Sequence, residues 1–195
     1  MFDAMATLVT LRSAPRVYLA GPDVFLPDAD ARFEAMEARC RALGLVGVRP
    51  SDGGLSAGEP LPGSAMAQRI YEGNVALIRR CDAIVAHLLP FRGPVEPDSG
   101  TAFELGVAVA LGKPAAAYLP EPGTPYAERV RRSLPTRRDA EGRLWCEAQG
   151  MLVEGFGEPL NLMLSRSTAL FAAFDDAIEH LARTLAPRPA PQPGA

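Results

Sequence analysis

The chain has 195 residues, of which 48% are hydrophobic and 22% are charged. This length and composition predict a single globular domain with a sizeable core. The formal net charge of −3 argues against a nucleic-acid groove or an anionic membrane surface as the main partner. The sequence contains no apolar run of about 18 residues, the length typical of a membrane-spanning helix.

The chain has three cysteines, Cys40, Cys81 and Cys146. Their odd number, their wide spacing and the lack of a CxxC pair argue against a disulfide framework and against a zinc site. Their use is typical of a reducing compartment, so we expect a cytoplasmic protein. The first residues lack the pattern of a signal peptide. We expect a flexible leader over 1–15, one domain over 16–185 and a Pro-rich tail over 186–195.

Strands and helices alternate along the first part of the chain. A β-rich run over 16–20 precedes a Gly-Pro turn, and apolar spacing predicts a helix over 29–43 that Gly44 ends. A strand over 45–49 follows. Segment 50–63 is rich in Gly, Pro and Ser, and long loops of this kind are usually functional.

The alternation continues through the middle of the chain. The next helix has Ser64 as its N-cap and ends near Arg80. An apolar strand over 81–89 is the best candidate for the centre of a sheet. A loop leads to a helix over 98–111, and a strand follows over 115–119.

The last third of the chain is less regular. Segment 124–135 contains one helix, 137–142 is an exposed turn, and 151–156 (MLVEGF) is predicted as the last strand. An amphipathic helix is predicted over 167–185, with six residues on its apolar side: Leu170, Phe174, Ala177, Ile178, Leu181 and Leu185.

This order of elements implies an α/β fold in which a doubly wound parallel sheet of about five strands carries helices on both faces. Ligands of such sheets bind outside the carboxyl ends of the strands. We therefore expect loops 21–28, 50–63 and 90–98 to line the functional site.

Glu104 is the only charged residue in segment 101–112, TAFELGVAVALG. A helix that is apolar on all sides is a buried helix, so this carboxylate is paired, satisfies the helix terminus or serves chemistry. Its place in the first two turns lets the helix dipole favour the ionised form. The segment alone leaves the structural and the catalytic interpretation open.

Asp98 lies six residues before Glu104, at the junction between loop and helix. Aspartate is a preferred N-cap, which is the structural interpretation, and a cap is compatible with an active-site acid. Two carboxylates in one cleft suit glycosidic chemistry, because one serves as nucleophile and the other handles the proton.

Other polar residues also lie in apolar surroundings. Asn74 falls in a row of apolar residues spaced by four, so we expect a buried amide that braces a loop or orients Glu104. His87 is expected to be a satisfied core histidine, because no metal-ligand spacing surrounds it. Gly21 and Gly100 form neither a dinucleotide-binding fingerprint nor a P-loop.

Three segments together resemble the nucleoside 2-deoxyribosyltransferase family: RVYLAGPDVFLPDA, CDAIVAHLLPFRGPVEPDSGTAFELGVAVALGKP and VEGFGEPLNLML. The motif PFRG followed by PDSGTAFELG is specific, and the similarity extends over residues 16–182. The resemblance implies a flavodoxin-like sheet, 2′-deoxynucleosides and free nucleobases as substrates, and no metal or organic cofactor.

The resemblance also implies roles for individual residues. Glu104 matches the family's nucleophile, and Asp98 matches its acidic partner. Asn161 matches an asparagine that reaches the active site of a neighbouring subunit, which implies a homodimer or a dimer-based hexamer. Further substrate-binding candidates lie in the adjoining loops and helices: Gly21, Asp23, Phe25, Asp52, Asn74 and Gly100.

Two alternatives stay open. A nucleoside or nucleotide N-glycoside hydrolase would use the same fold with water as acceptor. The loop after the first strand, AGPDVFLPD, is acidic and holds no basic residue, which disfavours a phosphate and therefore a nucleotide. A non-catalytic nucleotide-binding module, or a flavodoxin-type carrier, would use the same crevice but has no evident need for Glu104.

Overall fold

A computed structural model describes residues 13–50 and 62–186 of the chain. Nearly all of the predicted tail, most of the predicted leader and most of the loop over 50–63 lie outside the described residues. Along the chain the elements are β1 (Arg16–Ala20), α1 (Ala29–Ala42), β2 (Val46–Val48), α2 (Gly63–Arg80), β3 (Ala83–His87), α3 (Ser99–Ala110), β4 (Ala115–Tyr118), α4 (Tyr126–Ser133), β5 (Thr136–Arg138), β6 (Leu144–Cys146), β7 (Met151–Leu152), α5 (Leu162–Ser167), β8 (Ala169–Phe171) and α6 (Phe174–Leu185).

The central element is a parallel sheet of five strands in the order β2-β1-β3-β4-β8. This is the strand order of flavodoxin-like folds, so the predicted architecture is confirmed. The strand order reverses between β1 and β3. The chain passes from β1 to β2 on one side of β1, and then crosses back to β3 on the other side. A crevice at the carboxyl ends of these two strands is where this topology binds ligands.

Successive strand residues point to opposite faces of the sheet, so these apolar strands present an apolar surface on both faces. Helices cover each of the two faces. On one face, apolar side chains of β1, β3 and β4 pack against α1 and α6, with Phe33, Cys40 and Ile178 fully or almost fully buried. On the other face they pack against α2, α3 and α5. Ile78 and Leu105 on this second face are 0% exposed, which fixes α3 directly over the sheet.

The prediction of a last sheet strand over 151–156 is wrong. In this segment the strand comprises Met151 and Leu152, which pair with β6 in a separate antiparallel sheet, in the order β5-β6-β7. Gly150 has a φ of 64° and lies in the tight turn after β6. This turn brings β7 back beside β6, its neighbour in sequence. The predicted exposed turn over 137–142 begins within β5.

The fifth strand of the parallel sheet is β8, which the sequence pattern had assigned to the last helix. That helix begins at Phe174 and not at residue 167, so Leu170 packs from a strand. A three-residue apolar strand cannot be distinguished from a helical turn by periodicity. Ser64 is likewise not an N-cap, because α2 already begins at Gly63 after Pro62.

Within the part of the chain that the structure describes, no helix combines the length and the apolar character needed to cross a bilayer.

Candidate active site

A cavity of about 430 Å³ opens at the carboxyl ends of β1 and β3, within the size range of small-molecule sites. Its wall combines the loop after β1, the end of β2, the middle of α2 and the start of α3. The lining residues are Gly21, Val24, Phe25, Pro50, Ile70, Asn74, Asp98, Gly100, Thr101 and Glu104. Six of these are residues that the sequence predicted for the site.

Glu104 projects from α3 into this cavity and accepts a hydrogen bond from a tyrosine of the sheet. The hydroxyl of Tyr18, in the middle of β1, donates a hydrogen bond of 2.6 Å to Oε1 of Glu104. Tyr18 is 0% exposed, so its ring is immobilised by the core and its hydroxyl has a fixed direction. Burial, followed by the neighbouring Glu104 carboxylate, raises the pKa of Tyr18, which therefore stays a donor at neutral pH.

Burial raises the pKa of Glu104 to about 7. The hydrogen bond from Tyr18 lowers this pKa and the charge of Asp98 raises it, but both effects are smaller than that of burial. The expectation that the helix dipole favours the ionised form is therefore overridden by desolvation. A carboxylate with a pKa near neutrality is unusual and is typical of groups that exchange charge during a reaction.

Asp98 caps α3, as its position at the loop-to-helix junction predicted. Its Oδ2 accepts hydrogen bonds of 2.8 Å from both the backbone nitrogen and the hydroxyl of Thr101. Gly100 leaves room for this cap, because a Cβ at that residue would lie 3.0 Å from Oδ2 of Asp98 and would press on the capping carboxylate. The cap holds a carboxylate at the cavity wall near Glu104, so the structural interpretation of Asp98 is compatible with the chemical one, which stays a prediction.

One wall of the cavity is aromatic. Phe25 lines the cavity and stacks on Phe91 of the PFRG motif, with ring centroids 5.3 Å apart. The guanidinium of Arg92 lies 5.0 Å from the centroid of Phe25 and 4.5 Å from that of Phe91. These contacts brace an exposed ring that would otherwise rotate freely, and a braced aromatic face is a suitable platform for a planar heterocycle.

The side chain of Asp23 does not line the cavity, although the family resemblance placed it among the substrate-binding candidates. Asp23 is 2% exposed, and its Oδ2 lies 2.8 Å from Nδ1 of His87. His87 in turn stacks on Tyr118. The expectation that His87 is a satisfied core residue agrees with these contacts, since the ring is partnered on its edge and on its face.

Asn161 is also remote from the cavity of its own chain. It caps α5 by accepting a hydrogen bond from the backbone nitrogen of Met163, and its amide donates to Glu154 at 2.6 Å. Its expected role in a neighbouring subunit stays a prediction. Asp52 lies outside the described residues, and Asn74 lines the cavity in a half-buried position on α2.

Sequence reasoning missed Tyr18, which donates a hydrogen bond to Glu104. A signal was present, because a tyrosine within a buried strand needs a partner for its hydroxyl. It also missed Ile70, and it did not single out Val24 within the predicted loop 21–28. Both supply apolar cavity surface and carry no chemical signature in the sequence.

Two other cavities lie beside the small antiparallel sheet and contain neither Asp98 nor Glu104. One, of about 340 Å³, is between loop 93–96 and α4, and the other is a wide groove of about 640 Å³ beside Phe156. Among the residues that the structure describes, no group of three or more His, Cys, Asp or Glu side chains is arranged to hold a metal ion.

The fold and the site together define an α/β protein of the flavodoxin type, with two carboxylates at a cleft in the manner of enzymes that act on glycosidic bonds. The family model of nucleoside 2-deoxyribosyltransferases matches residues 17–163. The chain therefore belongs to the nucleoside 2-deoxyribosyltransferase family, which supports a glycosyl-transfer enzyme.

Individual relatives agree with this assignment. A 2-desoxiribosyltransferase from Leishmania mexicana is 31% identical with a TM-score of 0.65, over 88% of this chain and 99% of that one. An uncharacterized protein of Schizosaccharomyces pombe is 36% identical over 87% of this chain and 86% of its own length. A 2-deoxyribosyltransferase from Bacillus psychrosaccharolyticus shares the fold at 20% identity and a TM-score of 0.52, over 83% of this chain and 88% of that one.

Proposed function

We propose that this protein transfers the 2-deoxyribosyl group between nucleobases through a covalent ester on Glu104, with net retention at the anomeric carbon. The observation that carries the proposal is the Glu104 carboxylate, which is held by the buried Tyr18 hydroxyl at 2.6 Å and lines a nucleoside-sized cavity with Asp98. The name of the Leishmania mexicana relative supports the deoxyribosyl group as the unit transferred.

In the first step, an oxygen of ionised Glu104 attacks C1′ of a 2′-deoxynucleoside. The bond between C1′ and the base nitrogen breaks, and its electron pair goes to the base. The departing base takes a proton from Asp98 or from a water that Asp98 holds, which leaves a deoxyribosyl ester. Positive charge develops on the sugar ring in the transition state, and nearby carboxylates stabilise it.

In the second step, a free nucleobase attacks C1′ from the opposite face and displaces Glu104. Asp98 or its water accepts the proton that the incoming base loses. Two inversions restore the β configuration. The ring of Phe25 supports the exchange of one nucleobase for another, because an aromatic face can stack on different nucleobases.

The proposal extends to assembly. Two of the most exposed large apolar side chains, Phe156 at 70% and Met163 at 71%, flank Asn161 in sequence. Exposed apolar residues beside a polar functional residue are typical of an interface. We propose a homo-oligomer in which Asn161 of one subunit orients Glu104 of its neighbour.

Replacement of Glu104 tests the nucleophile. Glu104→Gln and Glu104→Ala should abolish base exchange between deoxyinosine and adenine, measured by chromatography, while circular dichroism shows an intact fold. A 2-fluoro-2-deoxyribosyl nucleoside should leave a sugar-sized mass adduct on the peptide that contains residue 104. Near-normal turnover of either variant, or an adduct on another peptide, would reject the assignment.

The same assay separates transfer from hydrolysis. A transferase forms the new nucleoside in proportion to the acceptor base, whereas a hydrolase releases free 2-deoxyribose whether or not a base is added. Tight nucleoside binding without turnover would instead support a non-catalytic binding module.

A further inference from the structure

Asp23 follows β1 in a short helical turn over Pro22–Phe25, with its side chain buried at 2% exposure. In the described part of the chain, the one hydrogen bond to this carboxylate comes from Nδ1 of His87, at the end of β3. Because a carboxylate only accepts, Nδ1 carries the proton in this contact. The imidazole ring is itself fixed by stacking on Tyr118, with centroids 4.2 Å apart.

The Asp23–His87 pair lies directly behind the wall of the cavity. A Cβ at Gly21 would be 2.6 Å from Oδ2 of Asp23 and 2.9 Å from Cβ of His87, so no larger residue fits without displacing the pair. Gly21 lines the cavity, as do Val24 and Phe25 on the other side of Asp23 in sequence. The carboxylate is therefore attached to the middle of the segment that forms the wall.

We propose that His87 is a positioning residue for substrate binding, which acts through Asp23 to fix the Gly21–Phe25 wall of the nucleoside pocket. The inference rests on the proposed function. The turn has no side-chain cap of its own, so the contact to His87 ties it to the neighbouring strand. Arg32 approaches Asp23 at 3.9 Å from the exposed side of α1, too far for a hydrogen bond.

The pair acts on binding and not on the reaction step, because it lies on the opposite face of the sheet from the nucleophile. Tyr18 belongs to the cluster that packs on α2 and α3, and α3 carries Glu104. Asp23 instead borders Leu19 and Phe33 on the face covered by α1 and α6. Loss of the pair should loosen the wall while the hydrogen bond between Tyr18 and Glu104 persists.

His87→Leu tests the proposal by removing the donor at similar volume. We expect KM for deoxyinosine to rise roughly 3- to 10-fold, the range for one lost hydrogen bond, with kcat changed less than about twofold. His87→Asn is the matched control, since its amide nitrogen can occupy the position of Nδ1 and should restore KM. A purely structural role would not give this split or this rescue.

A second variant guards against misfolding, because His87→Leu leaves a buried carboxylate without its donor. The double variant Asp23→Asn with His87→Leu removes that charge and should recover the melting temperature, yet still show the raised KM.

An unchanged KM in the folded variants, or a raised KM that His87→Asn does not restore, would overturn the inference alone. Absence of both base exchange and calorimetric nucleoside binding in the wild-type protein would overturn the proposed function and, with it, this inference.

Discussion

At the scale of single residues, the proposed chemistry depends on the ionisation state of Glu104. A nucleophilic carboxylate must be ionised, yet burial raises the pKa of Glu104 to about 7. Tyr18 counteracts this effect by donating to the charged form. The site therefore combines a desolvated carboxylate with a fixed donor from Tyr18, which in the proposed mechanism is a compromise between reactivity and ionisation.

The first prediction concerns the pH dependence of activity. The profile of kcat/KM should fall on its acid side near pH 7, because protonation of Glu104 removes the nucleophile. Tyr18→Phe should move this acid limb to higher pH, since the lost hydrogen bond lowered the pKa of Glu104. Steady-state kinetics between pH 5 and about 9 check both. An acid limb that stays in place in Tyr18→Phe would contradict the role given to the phenol.

The second prediction concerns stability. The folded state holds the proton of Glu104 up to about pH 7, whereas the unfolded chain releases it near the ordinary value of 4.5. Stability therefore falls as pH rises through this window. Glu104→Gln should gain about 1–3 kcal/mol in the free energy of unfolding at pH 8, a gain that shrinks as the pH falls to about 5. Urea denaturation at the two pH values measures it, and a pH-independent difference would refute it.

At the scale of elements, the start of α3 gives Asp98 a structural task as helix cap, to which the proposed mechanism adds a chemical one. Its carboxylate caps the helix through Thr101 and is exposed to the cavity in the same conformation. Because the cap orients the first turn, it also sets the direction in which Glu104 projects from the second turn. A substitution that disturbs the cap would therefore also displace Glu104.

The third prediction separates the two tasks of Asp98. Asparagine caps helices as well as aspartate does, so Asp98→Asn should change stability by less than about 0.5 kcal/mol while lowering kcat by roughly 10²-fold or more. Asp98→Ala should lose about 1 kcal/mol of stability as well. Thermal unfolding and base-exchange kinetics give the two readouts. Near-normal kcat in Asp98→Asn would show that Asp98 is a cap only.

At the scale of the whole molecule, one chain brings Glu104 and its hydrogen-bond donor Tyr18 together but leaves Asn161 away from its own cavity. In the proposed assembly, a second copy of the chain completes the site by contributing its Asn161. In a twofold dimer each subunit would lend Asn161 to the other, because a symmetric interface uses the same surface on both partners.

The fourth prediction is subunit complementation. Glu104→Gln and Asn161→Ser should each be inactive, serine being chosen because it keeps an N-cap on α5. Mixed under conditions that exchange subunits, they should recover up to about a quarter of wild-type activity, since half the sites in each hybrid are intact. No recovery, with hybrids demonstrated by native mass spectrometry, would restrict Asn161 to its own subunit.

Much of the fold could be predicted because its signals are local. Strands β1, β3 and β4 are apolar runs between turn residues, and the regular helices show clear periodicity. Strand β8 could not be predicted, since three apolar residues are compatible with either structure. The pairing of β7 depended on a turn at Gly150 and not on the strand residues themselves.

The sequence by itself determined the α/β class, the family and the two carboxylates, because a lone charge in an apolar helix and an aspartate at its start are visible along the chain. Only the tertiary structure decided that Tyr18 holds Glu104, that desolvation exceeds the helix dipole, and that Asp23 turns away from the cavity toward His87. These outcomes depend on distances between residues far apart in sequence, and burial and hydrogen bonding are properties of that arrangement.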